Sequence, residues 1–310
     1  MSQSTQEFGL IDWFRQHAAS NDRLDLGIGD DTAIVNVQDG RRALLAVDML
    51  LEGVHFTCPP AEPHEIGRKA LAVNLSDIAA MACIPTACVV SVAIRRDLGP
   101  EFAREVHRGL NELAEQFHVA LAGGDTNVWD KPSVISVTVM GEEPAGGAIL
   151  RSGAQVGDSI FVTGELGGSL AGHHLSFTPR VTEALELRKQ YDIHAMIDVS
   201  DGISSDLPHI LDESNVGATL DANAIPISDA AKIASDDRRP LDHALHDGED
   251  FELLFTLSEA DSAQLIAAPP AAIRISKIGE IEDSPGCRLR DASGASKPLE
   301  RRGWEHGFAD

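Results

Sequence analysis

Residues 71–94 read LAVNLSDIAAMACIPTACVVSVAI. The first half is small and apolar and carries on the pattern begun at residue 64, which predicts a helix over 64–82. The second half is rich in Val, Ile and small residues, which predicts a buried strand over 87–94. Within the apolar helix stands one carboxylate, Asp77, one turn after Asn74. A buried, unpaired carboxylate costs several kcal/mol, about 3–5 by the usual order of magnitude. A helix of this kind therefore packs into an α/β layer and brings a charge with it.

Upstream, TAIVNV and ALLAVDML read as strands, and Asp39-Gly40 between them is a hairpin signal. Earlier still, Phe8, Ile11, Phe14 and Ala18 fall at helical spacing and predict a short helix over 7–19. Downstream, Pro100 at a first helical position and Glu101 in the first turn open a helix over 100–118. VALAGG and SVISVTVMG then complete a β-β-α-β-α-β-β unit near residue 142. Residues 142–158 are rich in Gly, Ala and Pro and mark the boundary. The expected domains are 1–142 and 143–310, with 143–158 as linker. In the second, SIFVTG, AMIDV, GATLDA, FELLFTLS and AIRISKIGEI read as strands. LGGSLAGHHLSF reads as a Gly-opened helix and ISSDLPHILDES as another. The expected fold class is α/β of the α+β type, with two mixed α/β domains.

The chain has 310 residues, 43% of them hydrophobic, which is enough for real cores. Against 25 Lys+Arg stand 49 Asp+Glu, for a formal charge of −24. Such a surface repels nucleic acid and anionic membranes, so neither is an expected partner. A phosphorylated substrate would need cations between its phosphates and the protein's acids. No apolar run reaches the length of a membrane span, and the start lacks the basic-then-apolar order of a signal peptide. The four cysteines show no C-x-x-C spacing, and Cys83 and Cys88 are expected to be buried and reduced. These features together predict a cytoplasmic protein without disulfides. His173, His174, His243 and His246 read as solvated or core histidines, and Met49 and Met81 as core residues.

The acidic residues recur in short motifs: GIGDD (27–31), Asp48 in LAVDML, AGGDTN (122–127), IDVSDGISSDL (197–207) and HDGEDFELLF (246–255). Each alone can be a turn or a helix cap. As a group they are not explained that way, because Asp is a poor residue for strands and helix interiors. Arg68 and Lys69 precede the Asp77 helix, and the other clusters have almost no bases nearby. Clustered oxygens without His or Cys favour magnesium over zinc. Carboxylates beside Gly-rich strand ends fit phosphate chemistry. Yet Gly-Lys never occurs, so there is no Walker-type loop, and the His-Arg-Asp of protein kinases is absent.

In order, GIGDD, D-x-L-x-x-G-V-H-F (48–56), KALAVNLSDIAAM (69–81), GGDT (123–126), RSGAQVGD (151–158), IDVSDGISSDL, GEDFELLF (248–255) and GWEHGF (303–308) resemble the thiamine-monophosphate kinases. That family belongs to the superfamily of aminoimidazole-ribotide and selenophosphate synthetases. The resemblance covers nearly the whole chain. It implies a homodimer formed through N-terminal strands, with ATP as co-substrate bound mainly by the N-terminal half. It also implies several Mg2+ ions, and direct transfer of the γ-phosphoryl group to thiamine monophosphate. By matching position, Asp31, Asp48, Asp77, Asp125, Asp198 and Asp201 are implied magnesium ligands, with Asp77, Asp48 and Asp198 central to catalysis. His107, Gly124, Asp125, Arg151 and Ser200 are implied on the nucleotide, and His55, Glu249 and Trp304 on the thiamine part. An indole can stack on a cationic ring, and no residue in the set must be a covalent nucleophile.

The sequence departs from the family at two places. Hydroxyl residues usually precede the Asp48 position, where this chain has Ala46 and Val47, and His107 stands where Tyr is common. A selenophosphate synthetase would need a reactive Cys and Lys near the start, but no Cys precedes Cys58 and no Lys precedes Lys69. A non-catalytic nucleotide-binding paralogue is the alternative that the lost hydroxyls support.

Overall fold

The computed structural model describes residues 13–26, 34–270 and 273–303. GIGDD with Asp31, the first part of the expected 7–19 helix, and Trp304 lie outside the described residues; 13–17 are helical. The chain divides into two compact units, residues 1–78 with 83–147, and 79–82 with 148–310. Each is a mixed α/β unit built on its own sheet.

In the first unit, β1 (Leu24–Leu26) pairs antiparallel with β2 (Ile34–Val35). β3 (Ala43–Leu51), β4 (Ile84–Arg95), β5 (Ala120–Trp129) and β6 (Val134–Glu142) form a sheet of order β3-β6-β4-β5. The Asp39-Gly40 signal yields a turn, with Arg41 N–H donating to Gln38 O at 3.1 Å, but no hairpin. β2 pairs with β1 and β3 with β6, so long-range register overrides the local turn. Two helices, Pro63–Ala80 and Gly99–Gln116, belong to this unit's sequence. They touch backbone to backbone: a Cβ on Gly67 would lie 1.8 Å from Val106 O, and one on Gly109 1.8 Å from His64 O. Only glycine permits that approach.

Both helices end in the same way. Cys83 N–H bonds Ile78 O at 3.1 Å and Ala82 N–H bonds Ala79 O at 2.8 Å, the Schellman pattern, with Ala82 at φ 47°. Val119 and His118 repeat it on Ala114 O and Glu115 O, with His118 at φ 55°. Cys83 and Cys88 are buried and reduced, as expected. Met49 is not a core residue. It is 54% exposed, beside Leu45 and Val47 on the open face of edge strand β3.

The second unit carries β7 (Ser159–Thr163), β8 (Ile193–Asp198), β9 (Gly217–Asp221), β10 (Leu253–Leu257), β11 (Ile275–Glu282), β12 (Gly286–Arg290) and β13 (Ser296–Pro298). Their order is β13-β12-β9-β11-β7-β10-β8. The core gathers Ile160, Val162, Ile197 and Leu254 from the strands with Ile203 and Leu207 from the helix Ile203–Ser214. The expected helix over 166–177 is broken into a 3-10 turn at Ser169–Ala171 and a four-residue helix at His173–Ser176. Gly168 and Gly172, at φ 73° and 131°, flank the 3-10 turn in backbone conformations no helix can use. Among the described residues, no helix is long and apolar enough to cross a membrane.

Candidate functional site

Three of the nucleotide positions implied by the motifs meet at one cleft in the first unit. His107, Gly124 and Asp125 line a cavity of about 180 Å³ together with Val90, Val92 and Phe14. The helix Gly99–Gln116 supplies His107, and β5 the Gly-Gly-Asp. Gly124 is demanded by the sheet itself, because a Cβ there would sit 2.1 Å from Val90 O on the paired strand. His107 is buried and stacks on Phe14, ring centroids 4.7 Å apart at 15°, with Trp13 edge-on at 5.2 Å. Burial, with the facing His17 adding to it, pushes its imidazole down to about 4. The ring is therefore neutral at physiological pH. Neither of its nitrogens has a hydrogen-bond partner among the described residues. A flat neutral ring, apolar walls and a strand edge suit a heteroaromatic base.

Among the described residues, the acids of the first unit do not gather into a cluster of three. Asp48 sits on β3 opposite Val137, which faces Val90, which faces Gly124, so Asp48 and Gly124 share one cross-strand row. At about 4.8 Å per strand, three intervals part β3 from β5 by about 14 Å. Asp125 is exposed, not shielded, and accepts a bond from Asn127 Nδ2 at 2.7 Å. Asp77 is half-buried on a helix turn whose neighbours are buried. One turn before it, Asn74 is fully buried and donates through Nδ2 to Ala70 O at 3.0 Å. Its Oδ1 has no partner among the described residues. No three His, Cys, Asp or Glu converge closely enough to hold a metal among the described residues, which do not include Asp31.

His55 lies in the turn after β3, and its Nδ1 accepts Leu51 N–H at 3.0 Å. With Nδ1 accepting, the neutral ring carries its proton on Nε2. The fully buried Lys69 holds this turn, Nζ donating to His55 O at 2.8 Å.

In the second unit the motifs around Asp198 and Glu249 form one loop cluster. β10 pairs with β8 so that Leu253 faces Asp198. Beyond the strand ends the ladder continues: Val199 N–H to Glu252 O at 2.8 Å, Phe251 N–H to Val199 O at 2.8 Å and Glu249 N–H to Ser200 O at 2.7 Å. Glu249 and Phe251 adopt φ 58° and 50°, a conformation that costs non-glycine residues about 1 kcal/mol each. Asp201 N–H is held by Asp206 Oδ2 at 3.0 Å. Burial, then the charges of Asp198 and Asp201, push the Asp206 carboxyl up to about 8. Asp250, also buried, accepts Gly167 N–H at 2.9 Å and the Ser169 hydroxyl, and burial raises it to about 7. Arg151 is exposed, and its carbonyl meets Ser214 Oγ at 3.4 Å. The motif reading gave Asp206 and Asp250 no role of their own. The signal was present, an Asp inside an apolar helix and another just before an apolar strand.

Residues 29–142 match the family model for AIR synthase related protein, N-terminal domain, and residues 171–292 that for its C-terminal domain. The fold and its paired units are thus those of the AIR synthase related proteins. The chain is 38% identical to a thiamine-monophosphate kinase of Rhodopirellula baltica, covering 98% of each protein. It is also similar to the crystal structure of a thiamine-monophosphate kinase from Stenotrophomonas maltophilia, with TM-score 0.80, 36% identity and 91% and 96% of the two chains covered. A third likeness is to AaThiL complexed with AMPPCP and TMP, with TM-score 0.76, 29% identity and 99% of each chain covered. The chain belongs to the thiamine-monophosphate kinase family.

Proposed function

We infer that the chain works as a cytoplasmic homodimer that transfers the γ-phosphoryl group of ATP to the phosphate of thiamine monophosphate, giving thiamine diphosphate and ADP. It is thus a phosphotransferase with a phosphate group as acceptor. The observation that carries this is the cleft where His107, Gly124 and Asp125 converge. The adenine enters against the neutral His107 ring, and Gly124 lets the nucleotide approach the β5 backbone. AMPPCP, the nucleotide named with AaThiL, resembles ATP in shape and charge. The phosphate of thiamine monophosphate attacks in line. Positioning supplies most of the catalysis, as in phosphoryl transfer generally. His55 and Glu249, with Trp304, orient the thiamine part. Arg151 and Ser200 contact the nucleotide.

The donor set fits magnesium. Asp31, Asp48, Asp77, Asp125, Asp198 and Asp201 offer oxygen alone, and Asn74 Oδ1 is a buried acceptor without a partner among the described residues. Bound there, the ions would neutralise polyphosphate charge and template its oxygens. Ala46 and Val47 bring no side-chain hydroxyl beside Asp48, so backbone carbonyls or water would have to supply any further oxygens there. Dimerisation is supported by Leu45, Val47 and Met49, which are 74%, 63% and 54% exposed on an edge strand. An apolar edge of that kind needs a cover.

Purified protein given ATP, magnesium and thiamine monophosphate makes thiamine diphosphate and ADP, read by chromatography. Tight magnesium-dependent ATP binding without product would instead establish the non-catalytic paralogue. In the same preparation, sedimentation gives a dimer that Val47→Asp dissociates. A monomeric wild type would refute the strand-mediated pairing.

A further inference from the structure

The loop that leads into β10 is wound against its preference. Gly248, Glu249 and Phe251 hold φ of 72°, 58° and 50°. Such angles persist in non-glycine residues only where the surroundings over-determine them. Here the surroundings are largely one segment, residues 167–180, which follows β7. Gly167 N–H donates to both oxygens of Asp250 at 2.9 and 3.0 Å, and the Ser169 hydroxyl donates to the same carboxylate. Gly168 N–H donates to Asp247 Oδ2 at 3.0 Å. Phe177 lays its ring on Phe251, with centroids 4.3 Å apart at 14°. Arg180, just before the helix Val181–Gln190, grips Glu252 at two points, Nε to Oε2 at 2.8 Å and Nη2 to Oε1 at 2.5 Å. Glu252 is 2% exposed, and a Cβ on Gly164 would lie 2.1 Å from its Oε1. Thr163 Oγ1 adds a third bond at 2.6 Å. The half-buried Glu249 thus sits between residues fastened on both sides. Relaxation of its φ to the negative side would turn its carboxylate in a new direction.

We propose that Ser169, Phe177 and Arg180 clamp the loop so that Glu249 faces thiamine monophosphate, with the buried Arg180–Glu252 pair as the anchor. All three are positioning residues that act through Glu249, and this role rests on the kinase reading above. The clamp selects for one substrate only. It sets the direction of the thiamine-facing carboxylate and leaves the ATP cleft of the first unit untouched.

The test has two arms. Removing the guanidinium outright would strand a buried charge, so Arg180→Lys is used, which keeps the charge but gives up the two-point grip. Ser169→Ala and Phe177→Leu are the milder companions, should that variant fold poorly. The first arm is hydrogen exchange of the full chain without ligands, read by mass spectrometry. Glu249 N–H and Phe251 N–H are bonded to Ser200 O and Val199 O, so they report whether the loop opens. Arg180→Lys speeds exchange over residues 247–253 about tenfold, while β9 keeps its native rate. Unchanged exchange in all three variants overturns the clamp, whatever the activity. In the second arm, Arg180→Lys raises KM for thiamine monophosphate about tenfold and KM for ATP less than about twofold. Ser169→Ala raises the first about threefold. In a Glu249→Gln background Arg180→Lys adds less than about twofold, because the group it positions is already gone. Equal rises for both substrates, or full additivity with Glu249→Gln, overturn the positioning role. Faster loop exchange in a chain whose wild type makes no thiamine diphosphate keeps the clamp and removes the kinase reading.

Discussion

In the first unit the candidate nucleotide cleft is cut into a sheet, whereas in the second the candidate loop cluster hangs beyond strand ends. The cleft owes its shape to what is missing: no side chain at Gly124, and no hydrogen bond to the His107 ring among the described residues. The loop cluster owes its shape to what is present, a chain of backbone bonds from Val199 to Glu249 and a carboxylate on Asp201 N–H. One region fails by being filled and the other by being unfastened.

The largest effect is expected at Gly124→Ala. The new methyl meets Val90 O, a backbone atom of the neighbouring strand. A loss of about 2–3 kcal/mol in urea unfolding and about tenfold in affinity for a fluorescent ATP analogue should follow. Near-native values would mean that the β4–β5 pair yields, and the contrast between the regions would collapse. Next is Asp206→Ala, which strips Asp201 N–H of its acceptor and should cost about 1–2 kcal/mol by the same measurement. A cost equal to that at Gly124 would make the loop as unyielding as the sheet.

The smallest effect is one of pH. His107 titrates near 4 in the folded chain and near its ordinary 6.5 when unfolded. Between those values the unfolded chain binds a proton that the folded chain refuses. Stability from this residue is therefore complete above 6.5, falls as pH drops toward 4, and then levels. In His107→Phe that slope disappears, as thermal melts on either side of the window would record. An unchanged slope would assign the acid sensitivity to other groups.

Much of the fold was legible where local pattern and tertiary packing agree. The helix Ile203–Ser214 stands where ISSDLPHILDES predicts it, and Pro63–Ala80 lies within two residues of expectation. Its end was harder to place, because the left-handed residue is Ala82 and not the glycine that usually announces a stop. Similarly, Gly167 and Gly168 looked like a helix start but serve close approaches to Ala244 N and Ala231 N, at 2.6 and 2.7 Å from their would-be Cβ atoms. That need comes from partners over sixty residues away and leaves no local trace. The helices Val181–Gln190 and Glu259–Ala267 were passed over, the second despite Ser258 capping Asp261 N–H. At the site, the acidic motifs marked Asp198 and Asp201 but not which carboxylate holds the other's backbone. Helix geometry decides that: Asp206, in the first turn of the helix Ile203–Ser214, is the one whose carboxylate reaches back to Asp201 N–H.

The order of the second sheet bears on how the chain comes to be folded at all. β7, β8 and β9 never pair with one another; β10, β11 and β12 slot between or beside them. The first three strands must wait, unpaired, until residues 253–290 have been synthesised. The first unit has a nearer start, because β4 and β5 pair directly with only a helix between them. Its contacts are the more local, so it is the unit that can mature while the ribosome is still at work. The second is left with exposed strand edges until the last stretch of chain arrives. Chaperones would find their binding sites there.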